Sequence, residues 1–559
     1  MKIRNCLTFC LCLLLFYAII NADTLKREYW VDADAPDNSG DGSFEKPWKN
    51  ITDALENVFA IENNRATIHI KPGIYNAGNA EVFPVKLPNY VSLKGENPHN
   101  TIIDASGTNK AVLYLQNDNC SIENLTITGG NGFSHYEADS YIVGTIYYYY
   151  YSYKYFAGGI YCCNSSLSIK NCVIKDNITL NRKQSYNQIH NPEIKFFTSE
   201  PSPETDNETN DYYGSTYTHY DYISYGGGIY GVGSDIKITN SIIADNSIGF
   251  SSNNKCNDTL EEWYFSNGGG IYSEESDLTI TNSIIINNDA AVEHELGEYD
   301  MVISEGGGIA SFESELTISN SAIINNNSND FRAIYSDKEY IIDHSIFWYY
   351  PETYNQLNTA DKFSNNRFAV TGKDYIYADP RFTTGPWGDY YLSQKAAGQR
   401  ENSPCIDAGS DLSANLGLAQ KTTRSDGVVD TGIVDIGYHY PPPIQFSMYL
   451  SPAKECYQNG DYLTIIADIT TCPEPTDADI YFLMMNPEGI IYSGFMWNEG
   501  IVPMINDITL PENLDYAGLP LLSVTIPCDK PPVSSGGRYI FAIGASKPGS
   551  MDIISNVGK

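Results

Sequence analysis

The sequence predicts an all-β protein in which a β-solenoid is followed by an antiparallel β-sandwich of immunoglobulin-like type. The first observation is a glycine-rich phrase ending in Ile-Tyr or Ile-Ala, at 157–161, 226–230, 268–272 and 306–310. The second is an Asn eleven residues after each Ile of that phrase, with another Asn six residues later. The third is a change of pattern after the three prolines at 441–443. Such constant spacing means one structural unit stacked on copies of itself.

The chain begins with a segment typical of a secretory signal peptide, predicted over residues 1–22. Lys2 and Arg4 precede an apolar run from Cys6 to Ile20, and a small residue suited to cleavage follows. The run is short for a membrane span, and no later stretch of the sequence qualifies as one. We therefore expect a secreted, extracellular protein, with association to a cell surface left open.

Residues 23–64 are predicted to cap the solenoid and residues 65–440 to form its coils. Aliphatic residues such as Leu278 and Ile280 alternate with polar ones, which is the period of a strand with one buried face. Because Asn tolerates left-handed backbone, we expect both Asn columns at bends, hydrogen-bonded to their equivalents in neighbouring coils. The two columns are Asn171, Asn240, Asn282 and Asn320, and Asn177, Asn246, Asn288 and Asn326.

Some coils carry long insertions that are rich in Tyr and Trp. The interval from Ile309 to Ile334 is 25 residues, whereas that from Ile160 to Ile229 is 69. The extra residues follow the second Asn of each coil, so we expect loops that emerge on one edge of the stack. Aromatic side chains offer rigid contact area for sugar rings or protein partners, and packing on one another is the alternative. The candidate ligand-binding residues are Tyr149, Tyr151, Tyr153, Tyr217, Tyr220, Trp263 and Tyr264.

Two further columns carry charged side chains. Asp235, Asp277 and Glu315 each lie six residues after the Ile of their coil. Carboxylates stacked about 5 Å apart need solvent, a proton or a cation, and calcium binds such oxygens readily. We therefore predict calcium at a weak site, with solvated turn carboxylates as the alternative; no other cofactor is predicted. Asp176 and Asp245, five residues after the first Asn, are weak catalytic candidates.

The charge balance restricts the partners that the protein can have. There are 34 Lys and Arg against 69 Asp and Glu, and the formal net charge is −35. That balance argues against nucleic acid, whose phosphates need cationic partners, and favours calcium, cationic partners or neutral glycans. Residues 444–559 contain short apolar strands separated by turn signals such as Asn459-Gly460-Asp461, which predict the β-sandwich.

Several motifs resemble those of a known superfamily. Residues 29–32, 47–51 and 70–75 resemble the N-terminal cap of secreted right-handed parallel β-helix proteins of the pectin-lyase-like superfamily. The glycine phrase and the Ser-Ile-Ile strand resemble the repeats of chlamydial polymorphic outer membrane proteins. Residues 403–409 and 434–438 resemble the closing segment of bacterial β-helix proteins. The resemblance covers about residues 28–440 and implies a right-handed parallel β-helix, but it implies little about activity.

The enzymes of that superfamily include pectate lyases and polygalacturonases. Ile342-Asp343-His344 resembles a phrase of pectate lyases, which makes Asp343 and His344 catalytic candidates. The pair nevertheless occupies the bend where other coils have Ser-Asn or Thr-Asn, and the arginine motif of those lyases is absent from the sequence. A structural role is favoured for both residues, so the question of an enzyme stays open and leans towards no.

The sequence thus favours a secreted or surface-associated β-helix protein that acts by binding, in the manner of an adhesin. The expected partner of the loop face is a polysaccharide or a cell-surface glycoprotein. One alternative is a calcium-dependent polysaccharide lyase or glycoside hydrolase of the superfamily. The other is a structural component of an extracellular matrix.

Overall fold

The fold is described from a computed structural model, which divides the chain into two compact units, 1–375 and 376–559. The predicted boundary at 440 lies inside the second unit, and the predicted signal peptide lies outside the described residues. Within those residues, no helix has the length and apolar character needed to cross a membrane. The described residues are 27–37, 39–143, 146–182, 216–251, 261–291, 301–329, 333–348, 370–371, 375–451, 453, 462–471, 476–485, 490–493, 498–499, 503–510, 515–525 and 540–546.

The coils of the first unit build three parallel sheets. Sheet 1 holds the strands that follow the glycine phrase and their equivalents: Val85–Lys86, Leu113–Gln116, Ile160–Cys163, Ile229–Val232, Ile271–Glu274, Ile309–Phe312 and Ile334–Ser336. Sheet 2 holds the next strand of each coil: Glu28–Val31, Ala66–Ile70, Val91–Gly95, Asn119–Glu123, Ser166–Lys170, Asp235–Thr239, Asp277–Thr281, Glu315–Ser319, Tyr340–Asp343 and Val370–Thr371. Sheet 3 holds the third: Gly73–Asn76, Thr101–Asp104, Thr126–Thr128, Val173–Lys175, Ile242–Ala244, Ile284–Ile286, Ala322–Ile324 and Ile346–Trp348.

The three sheets enclose a continuous aliphatic interior, which confirms the predicted right-handed parallel β-helix. Ile236, Leu278 and Leu316 are register partners in sheet 2 and are at most 2% exposed. Each such side chain contributes roughly 1.5–3 kcal/mol when it leaves water. The Ile residues of the four glycine phrases are also register partners in sheet 1, and Leu113 and Ile334 continue their row at its two ends.

The first Asn column lies at bends, as predicted. Asn171 and Asn240 have φ values of 52° and 45°, in the left-handed region. The Asn171 side chain donates to Asn124 Oδ1 at 3.1 Å, and the Asn240 side chain donates to Asn171 Oδ1 at 2.9 Å. The amide side chains therefore satisfy one another along the corner between sheets 2 and 3.

The second Asn column lies inside the solenoid, one residue after the bend at which it was expected. The left-handed residues there are Asp176 and Asp245, with φ values of 55° and 54°. Asn177 and Asn246 are fully buried, and the Asn177 side chain donates to Asn246 Oδ1 at 3.0 Å. Each also donates to a main-chain carbonyl of the preceding coil, at 3.1 and 2.9 Å. Burial without such partners would cost about 1–3 kcal/mol per polar group.

The glycine phrase marks a place where neighbouring coils meet backbone to backbone. Gly226 has a φ of +60°, a conformation that most L-residues adopt only rarely and that costs glycine nothing. A Cβ on Gly227 would lie 2.2 Å from the carbonyl oxygen of Gly269 in the next coil. The repeated glycines are therefore explained by close approach of the chain to itself.

A short helix, Ile51–Asn57, closes the first end of the solenoid and buries Ile51 and Ala54. Its N-cap residue, Asn50, accepts from the Asp53 N–H at 2.8 Å. The buried Glu81 carboxylate accepts from the Ile51 and Thr52 N–H groups at 2.8 and 2.7 Å. These bonds satisfy donors that a helix start leaves unpaired, and the negative charge suits the positive end of the helix.

The described parts of the insertions form strands. These strands lie at one edge of the stack, after sheet 3 and before sheet 1. Tyr and Trp have high strand propensity, and stacking of the coils sets the strand register. The inserted sheet consists of Phe133–Val143, Ile146–Phe156, Thr216–Tyr225, Glu261–Asn267 and Met301–Glu305. A separate parallel pair consists of Ile178–Arg182 and Ser247–Ser251.

The second unit contains Ile376–Tyr377, the hairpin of Phe382–Gly385 and Gly388–Leu392, and two antiparallel sheets. The two sheets form the predicted β-sandwich of immunoglobulin-like type, with Phe446 and Phe482 buried. Their strands are Gln445–Ser451, Tyr462–Thr470 and Asp515–Thr525 in one sheet, and Thr476–Met485, Ile491–Ser493, Asn498–Glu499, Ile505–Leu510 and Ile540–Ser546 in the other. Short 3₁₀ turns occur at Ala77–Asn79 and Lys395–Ala397.

Candidate functional site

The strands of the inserted sheet distribute the predicted ligand-binding residues over its two faces. Successive side chains of a strand point to opposite faces. The register therefore assigns one set, Tyr149, Tyr151, Tyr153, Tyr220 and Tyr264, to what we call the ladder face. The other set, Tyr217 and Trp263, belongs to the opposite face. The side chains of Tyr149 and Tyr217 lie outside the described part of the structure.

Tyrosine rings on the ladder face stack from strand to strand. The Tyr151 and Tyr220 ring centroids are 5.0 Å apart, and the ring of Tyr222 lies 5.4 Å from Tyr153 and 5.2 Å from Tyr264. Each stacked pair contributes roughly 0.5–1.5 kcal/mol beyond burial. Tyr264 is only 2% exposed, so its ring packs within the protein.

The ladder face ends at an exposed ring. Tyr136 belongs to the strand Phe133–Val143. Its ring centroid lies 4.9 Å from that of Tyr153 and 6.4 Å from that of Tyr151. Its side chain is 40% exposed. The sequence pattern did not single out Tyr136, because the strand pairing that places it beside Tyr153 is antiparallel and cannot be read from the coil repeat.

A second aromatic column covers the outer side of sheet 1 and anchors the inserted sheet. The stacked centroids of Tyr161 and Tyr230 are 5.3 Å apart, and those of Tyr230 and Tyr272 are 5.5 Å apart. Phe156 and Tyr225 of the inserted sheet pack against this column, at 5.1 Å from Tyr230 and 4.6 Å from Tyr272. Aromatic contacts thus fix the base of the inserted sheet on the solenoid.

The opposite face carries a cluster of polar and aromatic side chains from three adjacent strands. His219 Nε2 lies 2.8 Å from Asp221 Oδ1, and the Tyr150 hydroxyl donates to Asp221 Oδ2. The His219 ring stacks on Tyr150 at 5.0 Å and meets the edge of Trp263 at 4.6 Å. Asp221 is 5% exposed, whereas Tyr150 is 39% exposed. Burial raises the pKa of the Asp221 carboxyl to about 6.

This cluster holds one accessible aromatic ring in a fixed orientation. Asp221 engages the hydroxyl of Tyr150, and the imidazole of His219 supports its ring from behind. Of the four residues, only Trp263 stood among the predicted ligands. The spacing of His219 and Asp221, two residues apart on a strand, was the signal that could have placed both on one face; their partner Tyr150 is 71 residues away in sequence.

The predicted calcium ligands are stacked as expected. Asp235, Asp277 and Glu315 are direct register partners in sheet 2, and all three are exposed. Over the residues that the structure describes, there is no group of three or more His, Cys, Asp or Glu side chains placed to hold a metal ion. Calcium at this column stays a prediction.

The four weak catalytic candidates lie at two different corners of the solenoid. His344 has a φ of 41° and continues the first Asn column, and its Nδ1 lies 2.9 Å from Asp343 Oδ1. Asp176 and Asp245 occupy the bends after sheet 3, and Asp176 pairs with Lys175 at 3.3 Å. The structure therefore brings these residues together in pairs at bends rather than in one group.

The second unit contains a largely buried polar cluster that the sequence motifs did not predict. His439 Nε2 lies 2.8 Å from Asp430 Oδ2, and Asp435 accepts from the Asp407 N–H at 2.8 Å and from the Thr423 hydroxyl. Burial and the nearby Asp430 carboxylate raise the pKa of Asp435 to about 6. His439 is 0% exposed, so this cluster serves packing of the segment rather than contact with a ligand.

Matches among the solved structures include two proteins of low similarity to this chain. Pectin methylesterase PemA from Erwinia chrysanthemi shares 12% identity, over 63% of this chain and 90% of that chain, with a TM-score of 0.23. The GH136 lacto-N-biosidase from Eubacterium ramulus shares 9% identity, over 63% of this chain and 68% of that chain, with a TM-score of 0.21. Values this low carry no argument about activity.

The family assignment is more informative than these structures. No curated protein sequence matches the chain. Residues 35–335, more than half of the chain, match the model of a family described as "Protein of unknown function (DUF1565)". The matched residues begin in the cap and extend through the glycine-phrase coils and their insertions. The chain therefore belongs to the DUF1565 family.

Proposed function

We propose that this protein is secreted and acts by binding sugar chains, of a polysaccharide or a cell-surface glycoprotein, through the inserted sheet. The observation that carries the proposal is the pair of exposed rings at the end of that sheet. Tyr136 is 40% exposed on the ladder face, and Tyr150 is 39% exposed on the opposite face. The Tyr136 ring contacts Tyr153 in a tilted arrangement and stacks on Tyr151, and the Tyr150 ring stacks on His219.

Rigid exposed tyrosines suit a carbohydrate ligand for two physical reasons. The apolar side of a pyranose ring packs on an aromatic face, while the phenol hydroxyl supplies a hydrogen bond. A ring already held in place loses little conformational entropy when it binds. Since the chain has a formal net charge of −35, we expect neutral sugar chains to bind better than uronate or sulfated ones.

Binding of the full chain to a panel of neutral, uronate-containing and sulfated polysaccharides tests this proposal. We expect Tyr136→Ala and Tyr150→Ala each to weaken the binding of a neutral glycan about tenfold, in keeping with the loss of about 1.4 kcal/mol. Tyr449→Ala is the matched control, because Tyr449 is 46% exposed in the second unit. The proposal fails if no glycan binds, or if all three variants bind as the parent does.

Binding is favoured over a lyase or hydrolase reaction by the positions of the catalytic candidates. Asp343 and His344 lie at one corner of the solenoid, and Asp176 and Asp245 at another. General acid–base catalysis needs such groups within hydrogen-bond reach of one substrate. A purely structural role in an extracellular matrix would not need the accessible rings of Tyr136 and Tyr150.

A further inference from the structure

The inserted sheet ends in a long strand with a free edge. Phe133–Val143 is eleven residues long and is the first strand in the order of its sheet. Within the described residues, it pairs on one side only, with Ile146–Phe156. At about 3.4 Å per residue, the free side presents main-chain N–H and C=O groups over roughly 37 Å.

Apart from the carboxylates of Glu137 and Asp139, this edge lacks the features that usually prevent strand pairing. The stretch 133–143 contains no Pro, Gly or Lys, and its register with the neighbouring strand has no shift that would mark a bulge. All residues from 134 to 140 are exposed. Proteins protect exposed edges with short strands, Pro, Lys or bulges, so a long edge without them is a template for another strand.

The side chains along the edge differ between the two faces. Glu137 and Asp139 alternate on one face, and Tyr136 points to the other. Lys154 Nζ lies 3.0 Å from Glu137, and His135 lies 3.3 Å from it. The hydrogen bond from Lys154 lowers the pKa of the Glu137 carboxyl, which keeps it ionised. Asp139 accepts from the N–H of the adjacent Ser140 at 2.8 Å.

Charge complementarity indicates the kind of strand that fits. Lys154 belongs to the neighbouring strand, so it lies behind the edge rather than along its free side. An incoming strand would meet two carboxylates at alternate positions on one face and an aromatic ring on the other. The formal net charge of −35 also attracts cationic segments at long range.

We propose that the free edge of Phe133–Val143 binds an extended segment of a partner protein by strand addition. That segment carries Lys or Arg at alternate positions, opposite Glu137 and Asp139, with an apolar residue between them beside Tyr136. Main-chain hydrogen bonds would supply the affinity, and the alternate side chains would supply the specificity. This surface shares Tyr136 with the proposed sugar-binding surface, but strand addition depends on main-chain groups and on Glu137 and Asp139, so each role can fail without the other.

A peptide with blocked main-chain donors tests strand addition directly. The probe is a fluorescent ten-residue peptide of alternating Lys and Val, titrated with the full chain and followed by anisotropy. Two further versions carry N-methyl groups on all the Lys or on all the Val residues. In an extended peptide, the N–H groups of the Lys residues point to one edge and those of the Val residues to the other. Since only one edge pairs with the protein, we expect one version to bind at least tenfold more weakly and the other to bind as the parent does. Equal effects of the two versions, or no binding of the parent peptide, would overturn the proposal.

Charge variants test the assigned partner chemistry. We expect Glu137→Gln combined with Asp139→Asn to weaken the binding of the parent peptide at least tenfold at low salt. The matched control combines Glu56→Gln with Glu62→Gln, two exposed carboxylates of the cap region, and we expect it to bind as the parent chain does. Thermal unfolding monitors folding of both variants. Equal binding by the two would refute the charge assignment. A dimer in sedimentation velocity that the peptide dissociates would assign the edge to a second copy of this chain and overturn the proposal.

Discussion

At the scale of single residues, the most informative side chain is Asp221. It is almost completely buried, yet both of its oxygens have partners, His219 and Tyr150. Burial disfavours the charged form of a carboxyl, which is why its pKa is raised to about 6. The folded protein therefore binds a proton at Asp221 more tightly than the unfolded chain does.

The sign of the resulting pH dependence follows from this linkage. The contribution of Asp221 to stability is fully present below the pKa of about 4 that an Asp has in the unfolded chain, and it is lost as the pH rises through about 6. Asp221→Asn removes this dependence. After an allowance for solvent screening, we expect the free energy of unfolding of the parent, relative to the variant, to fall by about 1 kcal/mol between pH 4.5 and 7.5. Urea unfolding of both proteins at several pH values measures this difference in the free energy of unfolding. A difference that stays constant or rises with pH would contradict this account.

At the scale of elements, the buried Asn ladder is what ties one coil to the next. The side chain of Asn246 donates to the carbonyl oxygen of Ile174 and to Asn288 Oδ1, both at 2.9 Å. Its own oxygen accepts from the Asn177 N–H at 3.2 Å and from the Asn177 side chain at 3.0 Å. One side chain thus serves polar groups of two neighbouring coils, in a region from which water is excluded.

Removal of that side chain leaves several buried groups without a hydrogen bond. We expect Asn246→Ala to lower the free energy of unfolding by about 3 kcal/mol, since each unsatisfied buried group costs roughly 1–3 kcal/mol. The control is Asn287→Gly, an exposed Asn at a left-handed bend with a φ of 55°. Glycine keeps that backbone conformation, so the change should stay below about 1 kcal/mol. Chemical denaturation measures the free energy of unfolding of both variants. Similar decreases in the two would contradict the stabilising role of the buried Asn ladder.

At the scale of the whole molecule, the parts that stabilise the fold are different from the parts that are exposed to solvent. The solenoid interior and the buried cluster of the second unit are closed to ligands, whereas the inserted sheet presents residues 134–140 of its first strand to solvent. Loops and added strands on a rigid scaffold are common places for binding residues. The role of calcium and the question of an enzymatic activity can be tested on the full chain.

The test for an enzyme uses pectic and other uronate-containing polysaccharides with and without calcium. We expect neither unsaturated product nor new reducing ends, because the catalytic candidates lie at two different corners of the solenoid and cannot reach one substrate together. Calcium titration by calorimetry of the parent and of a variant with Asp277→Asn tests the acidic column in the same preparation. Product that disappears with a chelator would support the lyase alternative over binding.

Much of this architecture is determined by local sequence. The coil period, the sheet positions of Ile229 and Ile271 and the bends at Asn171 and Asn240 depend on spacing within a few residues, and spacing can be read from the chain directly. Leu113 and Ile334 continue the same register in coils that lack the full glycine phrase. The strand pattern of residues 444–559 likewise suffices for the β-sandwich.

The proposed binding surface depends on the tertiary structure. The insertions differ in length, so the pairing of Tyr150 with His219 and of Tyr136 with Tyr153 depends on how the strands align after the coils have stacked. A shift of one residue in that alignment would exchange the two faces of the inserted sheet. The raised pKa of Asp221 arises in the same way, because burial is a property of the assembled sheet. The sequence alone therefore determined the solenoid and the enrichment of tyrosine, and only the folded sheet decided which rings remain accessible.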